Sequence, residues 1–225
     1  MTPQPDPSQP APPPGGREPI FNLPPGTKWL TLAILAVFAL QVVLPGRSGD
    51  WLVFTLAFES FSFWPQGSGL PDLGALPSLV TYALLHADAT HLLLNLGFFL
   101  AFGSFVERRV GLVPFLLLVA LTAAAGALAE FALRGGREIL LIGASGVVYG
   151  MTGAAARFML LDRGGLRRRA GLSLVFVLIG LNLVFGITGL GDFLAGAQIG
   201  WKAHIGGFLA GLFAAGLIGN RPPSR

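Results

Sequence analysis

The sequence predicts an all-α integral membrane protein, a bundle of six transmembrane helices. Three observations carry this reading. Of the 225 residues, 53% are hydrophobic and only 12% charged, whereas a soluble domain carries about a quarter charged residues. Mean hydropathy is +0.69. The apolar residues also run in blocks of about 17 to 25, the length that crosses a hydrocarbon core. The formal charge of +4 does not point to nucleic acid, because the basic residues are scattered through short loops instead of gathered on one face. The chain contains no cysteine, which excludes disulfides, thiolate catalysis, cysteine-based metal sites and palmitoylation.

Taken in order, residues 1–27 hold ten prolines and no apolar run. They are expected to form a disordered cytoplasmic tail, neither a core nor a signal peptide. A membrane domain then covers 28–219, with spans expected at 28–45, 79–104, 112–133, 139–160, 170–190 and 198–219. Residues 220–225 form a short cytoplasmic tail. Between the first two spans, 46–77 is expected to be an external interfacial loop. Its apolar stretch WLVFTLAFESFSFW, 51–64, contains Glu59 and stops at Pro65; as a helix it would cover only about 21 Å, too little to span. Trp51, Phe54, Phe58, Phe61, Phe63 and Trp64 suit the membrane interface, where aromatic rings are favoured.

Six spans put both ends on one side. With the amino terminus cytoplasmic, eleven of the fifteen Lys and Arg lie inside, and only Arg47, Arg134, Arg137 and Lys202 fall outside, which satisfies the positive-inside rule. No internal repeat or inverted pair of broken helices suggests a transporter. Many of the 32 glycines recur at small-xxx-small spacing, which lets helix backbones approach closely in lipid. Gly146, Gly150, Gly207 and Gly211 read first as packing residues of this kind.

Polar residues inside spans cost several kcal/mol unless paired or wet, so they carry the functional information. All three histidines fall there: His86 and His91 in the second span and His204 in the sixth. Asn95 follows His91 by four residues, which puts both on one helix face. No HExxH pair occurs, and His86 and His91 stand roughly 140° apart round a helix, so no metal site is expected. A Ser-His-Asp triad lacks an evident acid, because Asp88 and Asp192 sit near span ends. What remains is a serine with a histidine base. Ser145 stands in GASG, 143–146, inward of Arg137 and Glu138; His204 enters the sixth span from the same side, after Trp201 and Lys202. The two reach similar depth, as a catalytic pair requires.

Four segments, HADATHLLLNL at 86–96, ERR at 107–109, GASGVVYG at 143–150 and AHIGGFLAG at 203–211, together resemble the rhomboid intramembrane serine proteases in their compact six-helix bacterial form. The resemblance covers about residues 79–219 in the family's order. It implies that Ser145 is the nucleophile and His204 the general base of a dyad, with His91, Asn95 and the Ser145 backbone N–H lining an oxyanion hole. It further implies that Tyr149 packs on the His204 ring and that Gly207 and Gly211 bring span six against span four; Gly143, before the serine, permits the turn, and Gly146 supports the site. Glu107 and Arg109 match a structural ExR element, and His86 reads as structural. Where many members carry a Trp-Arg pair before the second span, this chain has Pro77 and Ser78.

The function so implied is cleavage of transmembrane clients near their external end, at small residues in helices that unwind easily, entering beside spans two and five. The implied partners are transmembrane protein substrates and the lipid bilayer, without nucleic acid, metal or other cofactor. The membrane that fits the compact form is a bacterial inner membrane. Oligomeric state and natural client stay open. The alternative is a catalytically silent relative that binds or escorts clients, against which Ser145 and His204 both argue.

Overall fold

A computed structural model describes residues 23–135, 137–161, 165–188 and 200–218. The tails expected at 1–22 and 220–225, and Asp192, lie outside the described residues. In chain order the elements are α1 (Pro25–Val43), α2 (Gly46–Leu56), β1 (Phe58–Glu59), α3 (Ser60–Phe63), α4 (Ser78–Thr81) and α5 (Ala89–Phe98). A π-helical turn, Phe99–Gly103, joins α5 to α6 (Ser104–Val110). There follow α7 (Leu112–Ala132), β2 (Leu140–Leu141), α8 (Ser145–Leu161), α9 (Leu166–Thr188) and α10 (Trp201–Ile218).

The protein is an all-α integral membrane protein. Among the described residues four helical segments are long and apolar enough to cross a bilayer: Pro25–Val43, Ala89–Val110, Leu112–Ala132 and Trp201–Ile218. On two of them small residues fill much of the buried face, beside Phe115 and Leu118 on α7. On α7, Leu117 and Leu121 are exposed while Thr122, Ala123, Gly126 and Ala127 are buried. On α10, Phe213 and Leu217 are exposed while Gly207, Gly211 and Ala215 are buried. Large apolar residues facing out and small ones facing in is the arrangement that lipid favours, since hydrocarbon solvates leucine and close backbone approach supplies the packing.

Helix α8 runs through the centre, with eleven of its seventeen residues buried, nine of them Gly, Ala, Val or Met, beside Thr152 and Phe158. A Cβ on Gly207 would overlap the Gly146 carbonyl oxygen, and one on Gly211 the Gly150 carbonyl oxygen. The two helices therefore meet backbone to backbone. At the far end of the bundle the Glu107 carboxylate accepts the N–H groups of Gly26 and Thr27, each at 2.7 Å, and the Thr27 hydroxyl at 2.8 Å.

Three boundaries differ from expectation, each for a tertiary reason. Helix α1 starts at Pro25 and not at 28, because Glu107 satisfies its first N–H groups. The stretch 79–88 is not the top of a long helix: it is broken into α4, a 3-10 turn at Tyr82–Leu84 and an extended Leu85. Asp88 then caps α5, its carboxylate accepting the His91 N–H at 2.8 Å, and the span runs on to Val110. Residues 139–144 are likewise not helical. Leu140–Leu141 pairs antiparallel with Phe58–Glu59, and Ile139 exchanges bonds with Ser60 at 3.0 and 3.1 Å.

That pairing also corrects the aromatic loop. Phe58 and Phe63 are not interfacial anchors but are buried against Phe131, with ring centroids 6.4 and 5.4 Å away. Trp51, Phe54, Phe61 and Trp64 remain exposed. Pro77 and Ser78 open α4, where the Ser78 hydroxyl donates to the Ala75 carbonyl at 2.6 Å.

Candidate active site

The site gathers at the start of α8. Gly143 has φ +113°, a conformation closed to L side chains, and it turns the chain from β2 into the helix. The turn is held by its own donors. Gly143 N–H donates to the Tyr82 carbonyl at 3.0 Å, and Ala144 N–H donates to His86 Nε2 at 3.5 Å. The first regular helical bond runs from Val148 N–H to the Ala144 carbonyl at 2.9 Å. Ser145 is thus the first residue of α8. The opening N–H groups of a helix have no partner within it and carry its positive dipole end.

His204 reaches this turn from α10. Its imidazole stacks on the Tyr149 ring, centroids 4.4 Å apart and planes 7° from parallel. Tyr149 lies four residues after Ser145, on the same helix face, so the imidazole sits over the first turn of α8. The entry of α10 is fixed by Glu130 of α7, whose carboxylate accepts the Ala203 N–H at 3.0 Å, a side-chain cap of the usual anionic kind.

His91 and Asn95 come from α5. The His91 ring lies against the serine turn: a Cβ on Gly143 would meet its Cε1 at 2.6 Å and its Nε2 at 2.9 Å. Asn95 is buried, and its Nδ2 is without a hydrogen-bond partner among the described residues. His86 packs edge-on against His91, centroids 5.1 Å apart. Its backbone is clamped to Gln41 of α1, the His86 N–H donating at 3.0 Å and its carbonyl accepting at 3.2 Å. The His86 ring thus bonds the serine loop itself.

Among the described residues, no three histidine or carboxylate side chains are grouped to hold a metal ion. Arg109 lies away from the site, its guanidinium over the Phe105 ring at 4.5 Å. Two buried polar residues that bond α10 escape the sequence reading, Glu130 and Asn182. Asn182 Oδ1 lies 2.5 Å from His204 Nδ1. The signal for both was present: each is a polar residue inside an apolar run, the same criterion that singled out the histidines.

What these groups can do chemically is limited and specific. A hydroxyl at a helix start, an imidazole over it, and donors aimed at the same turn can activate an oxygen nucleophile and stabilise negative charge formed beside it.

Comparison with known proteins places this arrangement. The Rhomboid domain family model matches residues 74–221. The chain is 29% identical over 191 residues to rhomboid protease GluP of Bacillus subtilis (strain 168), covering 85% of this chain and 34% of that protein. It is 28% identical over 179 residues to the putative rhomboid protease YdcA of the same organism, covering 78% and 82%. Against rhomboid protease GlpG of Yersinia pestis (strain Pestoides F) it is 28% identical over 186 residues, covering 83% and 61%. The chain therefore spans about a third of GluP and three fifths of GlpG. With a family model matched over most of its membrane domain, this chain belongs to the rhomboid family.

Proposed function

We propose that the protein is an intramembrane serine endopeptidase, with Ser145 as nucleophile and His204 as general base, cutting transmembrane segments of membrane proteins. The observation that carries this reading is the stacking of His204 on Tyr149 above a helix that begins at Ser145. In the first step Ser145 Oγ attacks the scissile carbonyl carbon while His204 takes the hydroxyl proton. The developing oxyanion is held by the Ser145 N–H, Asn95 Nδ2 and the His91 ring; the unpartnered donor on Asn95 supports that role. His204 then returns its proton to the leaving amine, and water hydrolyses the acyl-enzyme with the same histidine as base.

In this reading α8 and α9 complete a six-span domain, with both ends of the domain cytoplasmic in a bacterial inner membrane and the Ser145 end open to the external face. No cofactor takes part. The test is labelling of the detergent-solubilised protein with a fluorophosphonate probe. Wild type is expected to label, and Ser145→Ala and His204→Ala are not. A folded wild type that stays unlabelled beside a reactive control protease would overturn the proposal in favour of a silent, client-binding relative.

A further inference from the structure

We infer that Asn182 of α9 is a third member of the site, a positioning residue that fixes the tautomer and the orientation of His204. The inference rests on the Ser145–His204 reading above. Asn182 is buried, as is His204, and its side chain spans two groups of α10. Its Nδ2 donates to the Trp201 carbonyl at 3.3 Å, which turns its Oδ1 toward His204 Nδ1, 2.5 Å away. An amide oxygen only accepts hydrogen bonds, so the imidazole nitrogen facing it must be the one that carries the proton. A neutral imidazole protonated at Nδ1 has its lone pair at Nε2, the nitrogen left to receive the serine proton.

The second contact of α9 works on the same ring from another side. Tyr149 lies flat on His204, and its hydroxyl donates to the Leu178 carbonyl at 3.1 Å. Leu178 precedes Asn182 by one helical turn. One face of α9 therefore holds both the group that sets the proton and the group that braces the ring plane. Packing alone does not set the orientation: an apolar cavity of about 230 Å³, lined by Ile179, Leu183, Ile205 and Phe208 among others, adjoins Tyr149, Asn182 and His204. The two flipped positions of the ring have nearly the same shape, so the Asn182 bond is what distinguishes one from the other. In so apolar a setting the bond is also stronger than in water.

The wild-type protein gives the first test. The chain has three histidines, so a ¹⁵N-histidine NMR spectrum has few signals, and His204 is assigned by its loss in His204→Ala. The expected result is a neutral His204 protonated at Nδ1; protonation at Nε2, or a rapid mixture of the two, overturns the inference. The second test measures fluorophosphonate–rhodamine labelling against probe concentration. Asn182→Leu, which keeps the volume but offers no acceptor, is expected to lower the maximal labelling rate about 10- to 100-fold, part of the roughly 10²–10⁴-fold that a general base contributes, with the half-saturating concentration little changed. Asn182→Asp, which restores the acceptor, is expected to recover most of that rate. Labelling of Asn182→Leu at the wild-type rate overturns the inference, as does a loss that Asn182→Asp shares in full. Failure of the wild type to label at all sinks the Ser145–His204 reading instead, so the two failures are told apart.

Discussion

At the scale of single residues, the proposed chemistry depends on donors and on one backbone angle. His91 touches the Gly143 turn and Asn95 keeps a buried donor without a partner among the described residues, so each is expected to stabilise charge that exists only during reaction. Removing one such donor costs about 2.7–4 kcal/mol, or 10²–10³ in rate. His91→Ala and Asn95→Ala are therefore expected to label with fluorophosphonate on that scale more slowly than wild type, while unfolding at a similar temperature. Labelling of both at the wild-type rate would remove them from the oxyanion site. Gly143 is constrained twice over, by φ +113° and by the imidazole where a Cβ would sit. Gly143→Ala is expected to cost about 1–3 kcal/mol in stability from backbone strain, and to displace His91, so thermal unfolding and labelling rate should fall together. The residue types at these positions were legible from the chain, because a buried histidine, asparagine or serine in an apolar run needs a reason. Asn182 was equally visible by type, but one asparagine without a partner in sequence says nothing until the fold brings it to His204.

At the scale of elements, apolar runs located α1, α7 and α10 to within a few residues, since length and hydropathy decide whether a segment crosses a bilayer. The same criterion misread 79–88 and 139–144. Leucine, alanine and valine look alike in a helix and in a strand buried beside it, so the breaks are written only in long-range bonds: Gly143 to Tyr82, Ile139 to Ser60, and β1 to β2. Those bonds are what bring the helix start to Ser145, and with it the site. The opposite kind of end lies at α1, whose first turn is secured by Glu107 of α6 through three hydrogen bonds. Glu107 is sixteen residues beyond His91, roughly 24 Å along a helix axis, so this end is structurally separate from the site. Glu107→Ala is expected to destabilise the protein by about 2–3 kcal/mol, the range for losing a charged hydrogen-bond partner. Labelling of the folded fraction should stay at the wild-type rate. Thermal unfolding in detergent read beside labelling at low temperature separates the two effects, and slow labelling of fully folded Glu107→Ala would show that the far end reaches the chemistry.

At the scale of the whole molecule, hydrolysis deep in an apolar bundle needs water, and irregular backbone at that depth is tolerated only where it is buried in protein or lines a wet cavity. The non-helical chain at 137–144 leads directly to Ser145, so the end of the bundle bearing Arg137 is the end that must open to water. Arg134, Arg137 and Lys202 share one cavity of about 330 Å³ at that end, with Glu130 and Trp201. The other end holds Gly26 on Glu107 and Gly216 beside the Arg157 guanidinium, and Arg109 of α6 over the Phe158 ring of α8 joins the two. Among the described residues Lys28, Arg108, Arg109, Arg157, Arg168 and Arg169 belong to this second end, and on the proposed reading the positive-inside rule puts it in the cytoplasm. A chain without cysteine makes the assignment directly measurable, because any introduced thiol is the only one. Arg137→Cys and Arg108→Cys place it at exposed positions on the two ends. In intact bacterial cells with the outer membrane made permeable, a membrane-impermeant maleimide is expected to modify Arg137→Cys, and to modify Arg108→Cys only after the inner membrane is opened. The reverse pattern would put Ser145 on the cytoplasmic side, and the water for the second half of the reaction, together with the cut end of any client, would then have to come from within the cell.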